Sequence, residues 1–263
     1  MPGLEGCLLS VPCAERTTGG DLYHVTVCNH GVFSKFLLVD VAGHDHAAAR
    51  LSSRLQQPLA ELMSELDNSA ILEALDDNLF RHNSNGQFAT AAAATYNHWD
   101  HSWTYAYAGH PFMLMRASDA HWYPLPECFA GPPAGVLGDT RYFQNEIQLT
   151  GDETLLLFSD ALLDIKQNNG ERLGFRGLVR LLDRLPVTTL NAFYQALVDA
   201  LVKANGSARF DDDLTLIVLK HGQPANKLMQ RLSDSSHRLL MRWMKRHDTS
   251  CHEPLDPTHP AIQ

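Results

Sequence analysis

Several aspartates of this sequence stand at the ends of apolar runs, where their carboxylates could bind a cation together. Asp40 and Asp160 each close an apolar run, Asp21 opens a strand-like segment after two glycines, and three aspartates at 211–213 precede a further apolar segment. Carboxylate oxygens suit hard cations such as Mg²⁺ or Mn²⁺. A single aspartate in such a place is commonly a turn former or a helix N-cap. Spacing alone therefore leaves a shared metal site and independent turns as alternatives.

The apolar periodicity predicts the elements that would position these aspartates. Four leucines recur with helical spacing between residues 51 and 62, and Pro58 is expected to kink or divide that helix. The turn at 29–31 predicts a hairpin, and three segments that follow the second helix predict a meander. The predicted strands are 7–13, 21–29, 33–41, 88–97, 103–108, 112–116, 142–149, 154–159 and 214–219, and the further helices are 69–81, 176–183 and 189–204.

The order of these elements favours an α+β fold. Strands occur in hairpin-like groups between two pairs of helices, which favours antiparallel sheets over a doubly wound parallel sheet. The 263 residues include 30 acidic and 21 basic side chains, and the net charge of −9 argues against a nucleic-acid partner. No apolar run approaches the roughly 20 residues of a membrane-spanning helix. Five cysteines without a CxxC pair favour a reducing, cytoplasmic location.

Seven segments occur in an order that resembles the PPM superfamily of metal-dependent Ser/Thr protein phosphatases, in particular its bacterial SpoIIE/RsbU-type branch. No segment alone is specific, and the ordered set carries the resemblance. It implies a four-layer α-β-β-α sandwich of two antiparallel sheets flanked by helices, as a phosphatase domain over 1–222. The segments are TGGDLY (18–23), LLVDVAGHDHAAA (37–49), FATAAAATYN (88–97), YAYAGHP (105–111), PPAGVLGD (132–139), DETLLLFSDALLD (152–164) and FDDDLTLIVLK (210–220).

The resemblance implies two bound Mn²⁺ or Mg²⁺ ions. Asp40 matches the carboxylate that bridges the two ions in the family, and the backbone carbonyl of Val41 matches the accompanying ligand of the first ion. Asp160 and Asp212 match ligands of the second ion. Asp212 is chosen among the three aspartates because it lies three residues before Thr215, as in the family's Asp-x-x-Thr pattern.

Two further acids belong to the implied site. Asp21 resembles the aspartate that supports the first ion, directly or through water. Asp164 lies four residues after Asp160 and resembles an additional acidic position near the site.

The implied reaction is the hydrolysis of phosphoserine or phosphothreonine on a protein. A hydroxide that bridges the two ions would attack phosphorus in line, so that no covalent phosphoenzyme and no cysteine nucleophile are needed. His44 could protonate the leaving alkoxide, because histidine titrates near neutrality, or it could be a loop histidine bonded to the backbone. His110 has the same two interpretations. The implied substrate is a regulatory protein of a partner-switching pathway, such as a phosphorylated anti-sigma-factor antagonist.

Two departures from the family pattern lie close to the proposed ligands. Ala161 and Asp45 each occupy a position where the family usually has glycine. An added methyl group at residue 161 could crowd the second ion or require a shifted backbone. These departures favour an alternative function, a pseudophosphatase that keeps the fold and binds or sequesters a phosphoprotein.

The C-terminal part of the chain differs in composition. Residues 223–247 predict a basic amphipathic helix, with six Lys/Arg and one Asp between residues 227 and 247, and the Pro-rich segment 248–263 is predicted to be disordered. The helix could pack on the domain, or residues 225–247 could contact an acidic partner, a second copy or a membrane surface. Few residues precede the first predicted strand, so we expect no N-terminal sensor domain and regulation by a partner or the tail.

Overall fold

The computed structural model describes most of the first 222 residues. His44, Asp45 and the predicted C-terminal segments 223–247 and 248–263 lie outside the described residues, so the predictions made for them stay untested. The described ranges are 1, 3–13, 19–28, 31–43, 46–82, 86–117, 119–125, 131–167 and 170–222.

The described residues contain ten strands. They are β1 (Leu4–Val11), β2 (Asp21–Cys28), β3 (Phe33–Val41), β4 (Ala89–Asn97), β5 (Ser102–Ala108), β6 (Leu114–Arg116), β7 (Trp122–Pro124), β8 (Asn145–Gln148), β9 (Thr154–Phe158) and β10 (Leu214–His221). Sheet I has the strand order β1-β10-β9-β6-β7, and sheet II has the order β2-β3-β4-β5-β8. All pairs of neighbouring strands are antiparallel, as the hairpin-like grouping predicts.

Five helices accompany these strands in the described ranges. They are α1 (His46–Leu62), α2 (Asn68–His82), α3 (Ala161–Asp164), α4 (Gly174–Leu182) and α5 (Leu190–Asn205). Helix α5 begins where the Thr189 hydroxyl accepts the Ala192 N–H at 3.2 Å, and it ends at Gly206, whose φ of 70° is that of a left-handed cap. None of the helices described has both the length and the hydrophobicity that crossing a membrane would require.

Alternation of side chains along the strands produces three apolar cores and therefore four layers. In β9, Leu155 and Leu157 pack between the two sheets, whereas Leu156 and Phe158 pack against α4 and α5. The alanines of β4 alternate in the same way between sheet I and the layer formed by α1 and α2. The predicted α-β-β-α sandwich is therefore confirmed.

Helices α1 and α2 cover the outer face of sheet II. Leu55 and Leu59 of α1 and Leu72 and Leu75 of α2 are each at most 2% exposed and share one core with the sheet. Pro58 lies within α1 and does not divide it. Proline lacks an N–H and so removes one intrahelical bond, but the buried leucines on either side hold the helix against the sheet.

The predicted meander of three strands is wrong in its third member. Strands β4 and β5 pair in sheet II, but β6 pairs with β7 and β9 in sheet I. The chain crosses between the sheets at Gly109, whose φ is 64° and whose N–H bonds to the Gly131 carbonyl. The short strand β7 and the single-turn helix α3 were not predicted, because segments of three or four residues are too short to show a period.

His110 bridges the two sheets at this crossing. Its Nδ1 lies 2.8 Å from the Thr90 hydroxyl on sheet II, and its Nε2 lies 3.0 Å from the Phe158 carbonyl on sheet I. A carbonyl only accepts, so Nε2 carries the proton and Nδ1 accepts from Thr90. Burial lowers the pKa of His110 to about 4 against the opposing hydrogen bond to Phe158. A neutral, fully bonded imidazole favours the structural interpretation of His110.

Candidate metal centre

Sheet II supplies two carboxylates at one end of a hairpin. Asp21 is the first residue of β2 and Asp40 is near the end of β3, and the two residues are direct partners in the antiparallel register. Direct partners share one face of a sheet. Asp40 alternates with the outward-facing Val39 and Val41, so both carboxylates lie on the face directed towards sheet I.

Sheet I supplies two more acids at the adjoining end. Asp160 follows β9, and Asp212 lies two residues before β10, which pairs with β9. Ser159 joins the two strand ends, because its N–H donates to the Thr215 carbonyl and its hydroxyl accepts the Thr215 N–H, both at 2.9 Å. Asp160 and Asp212 lie close enough to Asp40 for both carboxylates to raise its pKa. The two sheets therefore bring together the four carboxylates that the sequence singled out.

Burial and mutual repulsion make this cluster unfavourable as a set of free anions. Burial, reinforced by the charges of Asp21 and Asp160, raises the pKa of Asp40 to about 9. Burial also raises the pKa of Asp21 to about 7, against the hydroxyls of Thr215 and Ser159, which favour its charged form. A bound cation would reverse both effects, because an opposite charge favours ionised carboxylates.

The described residues fit a divalent cation in two respects. Asp21 Oδ2 is buried and accepts no hydrogen bond, so this oxygen has capacity for a ligand that the chain does not supply. At Gly20 the backbone approaches so closely that a Cβ would lie 3.2 Å from the Val41 carbonyl oxygen. That carbonyl, the predicted ligand of the first ion, therefore lies beside the Asp21 strand end.

The side chains alone do not complete a site. Among the residues the structure describes, no three His, Cys, Asp or Glu side chains are placed to hold one ion by themselves. Hard cations commonly complete their coordination with backbone carbonyls and water. The assignment of Asp21, Asp40, Val41, Asp160 and Asp212 as ligands accordingly stays a prediction, supported by their proximity.

The three consecutive aspartates have three different environments. Asp211 is exposed and forms an ion pair with Lys166 at 2.9 Å. Asp213 is 5% exposed, and its carboxylate accepts the N–H of Cys13 at 2.7 Å and the N–H of Gly20 at 2.5 Å. Asp212 lies at the surface between them and is the member whose charge reaches Asp40. This division of roles favours the choice of Asp212.

Asp213 and Ser52 position the entry to β2, and sequence reasoning missed both. Asp213 holds the N–H of Gly20, while the Ser52 hydroxyl on α1 donates to the Gly20 carbonyl at 2.7 Å. The Cβ of any residue at Gly19 would lie 2.6 Å from the Asp213 carboxylate. The glycine pair before Asp21 was the available signal, because adjacent glycines indicate close approach of backbone to another group.

The remaining predicted positions differ in what the structure shows. Asp164 ends α3, and its carboxylate pairs with Arg172 at 2.6 Å at the surface. Its role near the site stays a prediction. Ala161 has α-helical geometry, and its methyl group packs with Leu162 and Phe158 in the core of sheet I and its helices. The backbone there needs no glycine, so the expected distortion at Ala161 is not present.

Comparison with known proteins gives a family for this architecture. The model of the family described as "Stage II sporulation protein E (SpoIIE)" matches residues 34–222. The chain belongs to the SpoIIE family. The resemblance to the SpoIIE/RsbU-type branch of PPM phosphatases, predicted from the seven segments, is thereby confirmed.

Individual relatives of this SpoIIE-family chain agree with that assignment. It is 27% identical over 216 residues to the phosphoserine phosphatase RsbU of Bacillus subtilis, a match that covers 81% of this chain and 62% of RsbU. The solved structure of the RsbU and RsbW domains of Rv1364c from Mycobacterium tuberculosis has a TM-score of 0.72 at 20% identity, covering 93% of this chain and 69% of that one. RsbX in complex with magnesium has a TM-score of 0.61 at 14% identity, covering 83% and 97%. The two structures show a shared fold.

Proposed function

We propose that the chain is a metal-dependent protein phosphatase that hydrolyses phosphoserine or phosphothreonine on a regulatory protein. The observation that carries the proposal is the convergence of Asp21 and Asp40 from sheet II with Asp160 and Asp212 from sheet I. Burial raises the pKa of Asp21 and Asp40, and clustered carboxylate oxygens are the ligands that hard divalent cations prefer. RsbU is named a phosphoserine phosphatase, which supports the same reaction here.

In this proposal the chain's own residues hold and orient the reacting groups. Asp40, the Val41 carbonyl, Asp160 and Asp212 hold two Mn²⁺ or Mg²⁺ ions, and Asp21 supports the first. Such ions, when bound, supply a nucleophile from water near neutral pH and offset the charge of the phosphoryl oxygens. The magnesium complex of RsbX, which shares the fold, supports a hard cation of this kind.

The proposal also covers the substrate, the cellular location and the extent of the catalytic unit. We place the substrate among regulatory proteins of partner-switching pathways, such as a phosphorylated anti-sigma-factor antagonist, and the reaction in the cytoplasm. Cys7, Cys13 and Cys28, the cysteines in the described residues, form no disulfide bond with one another, as a reducing compartment allows. We assign the phosphatase unit to 1–222. Deleting 223–263 should therefore leave hydrolysis of a small aryl phosphate largely intact.

The alternative is a pseudophosphatase, which would bind a phosphoprotein without turnover. The sequence departure at Ala161 was one reason to consider it, and the helical, well-packed geometry of Ala161 weakens that reason. The other departure, Asp45, lies outside the described residues. Activity therefore has to be measured.

The decisive experiment is a phosphatase assay with Mn²⁺ or Mg²⁺ on a phosphoserine protein and on an aryl phosphate. We expect metal-dependent turnover in the wild type and its loss in Asp40→Asn and Asp160→Asn. Asp199→Asn is a matched control, because Asp199 is an exposed carboxylate on α5. Absence of metal-dependent turnover in the wild type would contradict the proposed phosphatase activity and favour the pseudophosphatase. Turnover of a small metabolite without turnover of a phosphoprotein would contradict the substrate class.

A further inference from the structure

A cleft of about 520 Å³ lies at the end of sheet II opposite to the candidate metal centre. Phe33 lines the cleft at one end of β3, and Asp40 lies seven residues further along the same strand. At the rise of a strand this separation is roughly 23 Å. The cleft is therefore remote from the residues assigned to hydrolysis.

The floor of the cleft is a polar continuation of an otherwise apolar sheet face. Ala91 and Ala93 of β4 pack under the helices, and the next residues on that face are Thr95 and Asn97. The cleft opens beyond Ser64, where the chain has left α1, so the helices no longer cover this end of the face. The residues on this face thus change from apolar to polar at the point where the helices no longer cover the sheet, so this end of the face is exposed to solvent.

Four carboxylates surround this floor, and we call the site the acidic cleft. They belong to Glu65, Asp67, Asp100 and Glu146, and no Lys or Arg is among the described residues that line it. Lys35 lies beneath, fully buried and paired in register with Thr95. Even a charged Lys35 would offset only one of the four negative charges.

Two buried polar groups in the acidic cleft lack partners within the described part of the chain. Asn97 and Ser102 are each 6% exposed and line the cleft. Asn97 Oδ1 accepts the Trp99 N–H at 3.0 Å, but its Nδ2 donates no hydrogen bond, and the Ser102 hydroxyl makes none. Both groups line the cleft, so their hydrogen-bonding capacity is available to a ligand there.

The chemistry of the lining fits a basic peptide. Carboxylates accept from lysine and arginine, whereas the Asn97 amide donates and requires a carbonyl oxygen. A metal ion or a simple amine offers no such acceptor. A polypeptide segment that carries Lys or Arg offers both groups.

The described part of the chain ends close to the acidic cleft. His221, at the end of β10, contacts His101 with Nε2 3.3 Å from Nδ1, and His101 stands between the cleft residues Asp100 and Ser102. The described chain ends at Gly222, whose N–H donates to the Gly3 carbonyl at 3.1 Å. Lys227 follows five residues later, within roughly 17 Å of extended chain.

We propose that the basic segment 227–247 of the same chain binds in the acidic cleft. That segment carries six Lys/Arg and one Asp, opposite in charge to the cleft. The inference is independent of the proposed reaction, because it concerns charge and position at the far end of sheet II.

The test compares the full-length wild type with Glu146→Lys under native conditions. The Glu146 side chain is exposed and forms no hydrogen bond or ion pair with the described residues, so its replacement leaves folding undisturbed. We expect an Arg-specific protease to cleave after Arg231, Arg238 and Arg242 about three- to tenfold faster in the variant, since proteolysis follows the population of the released segment. Asp199→Lys on α5, on the other side of the sandwich, is the matched control and should cleave at the wild-type rate.

Hydrogen exchange supplies a second measurement. Replacing Arg231, Arg238 and Arg242 by Gln should increase amide exchange at 100–104, and 1 M NaCl should have the same effect on the wild type because it screens the contact. Equal cleavage in wild type and Glu146→Lys, with unchanged exchange at 100–104, would overturn the proposal. Protection from cleavage or from exchange that rises with protein concentration would overturn the proposal too, because the occupant would then be the segment of a second copy.

Discussion

Asp213 holds the entry of β2 through both carboxylate oxygens, one on the N–H of Gly20 at 2.5 Å and the other on the N–H of Cys13 at 2.7 Å. A residue just before β10 of sheet I thus binds backbone N–H groups after β1 of sheet I and before β2 of sheet II. Asp213→Ala leaves both N–H groups without their acceptor, and we expect the free energy of unfolding to fall by about 2–4 kcal/mol. Chemical denaturation measures this loss.

The neighbouring Asp211→Ala is the control for that experiment. Asp211 is exposed and its carboxylate pairs with Lys166 at the surface, so the loss of that carboxylate should cost less than about 1 kcal/mol. Equal losses of stability in the two variants would show that the Asp213 hydrogen bonds to Gly20 and Cys13 contribute no more than an exposed ion pair.

Metal binding should stabilise the fold, and Asp40 should be required for it. A cation that binds only the folded state adds about 2.7 kcal/mol at a concentration one hundred times its dissociation constant. We expect Mn²⁺ to raise the melting temperature of the wild type and not of Asp40→Asn, in thermal denaturation with and without EDTA. An equal rise in both proteins would remove Asp40 from the ligands.

Ser52 should affect the metal centre although it is on a helix. Its hydroxyl donates to the Gly20 carbonyl at 2.7 Å and to the Ala48 carbonyl at 3.0 Å. We expect Ser52→Ala to cost about 1–3 kcal/mol of stability and to weaken metal affinity by about tenfold, because Gly20 precedes Asp21. Calorimetric titration with the metal measures the affinity, and calorimetric unfolding measures the stability. Ser53→Ala is the control, since Ser53 is exposed and its hydroxyl bonds, among the described residues, only the Ala49 carbonyl. A tenfold loss of metal affinity in Ser53→Ala would refute the role assigned to Ser52.

Glu153 should make stability depend on acid pH. Burial alone would raise its pKa, but hydrogen bonds from His221 and from the N–H groups of Thr150 and Gly151 outweigh burial and lower the pKa to about 2. The stabilisation is therefore complete above the ordinary value of 4.5 and is lost as the pH falls towards 2. We expect Glu153→Gln to cost at most about 3 kcal/mol near pH 7.

The measurement for Glu153 is denaturant unfolding from pH 7 to pH 2. The difference between wild type and Glu153→Gln should shrink as the pH drops below 4.5. The exposed neighbour Asp152→Asn should follow the wild type within about 0.5 kcal/mol. A difference that stayed constant with pH would mean that the Glu153 charge contributes nothing.

Gly109 should tolerate no side chain at the crossing between the sheets. Its φ is 64°, and an added Cβ would lie 2.6 Å from Pro133 Cγ. We expect Gly109→Ala to cost at least about 2 kcal/mol in thermal or chemical unfolding. Gly151→Ala meets open space and should change stability by less than about 0.5 kcal/mol. If both variants unfolded alike, the crossing would not be constrained as described.

The sequence predicts long, periodic elements well and short ones poorly. The hairpin of β2 and β3 and the helix α5 follow from turn residues and apolar spacing, which are local properties. The partner of β6 does not, because three residues carry no information about which sheet they join. Family resemblance supplied the four-layer arrangement that composition and period left open.

The candidate site shows the same division between local and tertiary information. Aspartates at strand ends are visible in the sequence, so Asp40 and Asp160 could be singled out. Among Asp211, Asp212 and Asp213, the sequence distinguished Asp212 only through the family's Asp-x-x-Thr pattern. Burial and hydrogen bonding show that the three side chains have different environments. Ser52 could not be found, since its contact with Gly20 depends on how α1 lies on sheet II.

The carboxylates of the centre are divided between two sheets, which are joined by an apolar core and by a few polar contacts, such as those of His110 with Thr90 and the Phe158 carbonyl. A small slide of one sheet over the other changes the distance from Asp40 to Asp160, although neither strand bends. The spacing of these carboxylates therefore depends on the alignment of the two sheets, and a cation bound by carboxylates of both sheets would cross-link them. A partner that displaces one sheet by binding to an outer helix layer would therefore change the spacing of these carboxylates without contacting them.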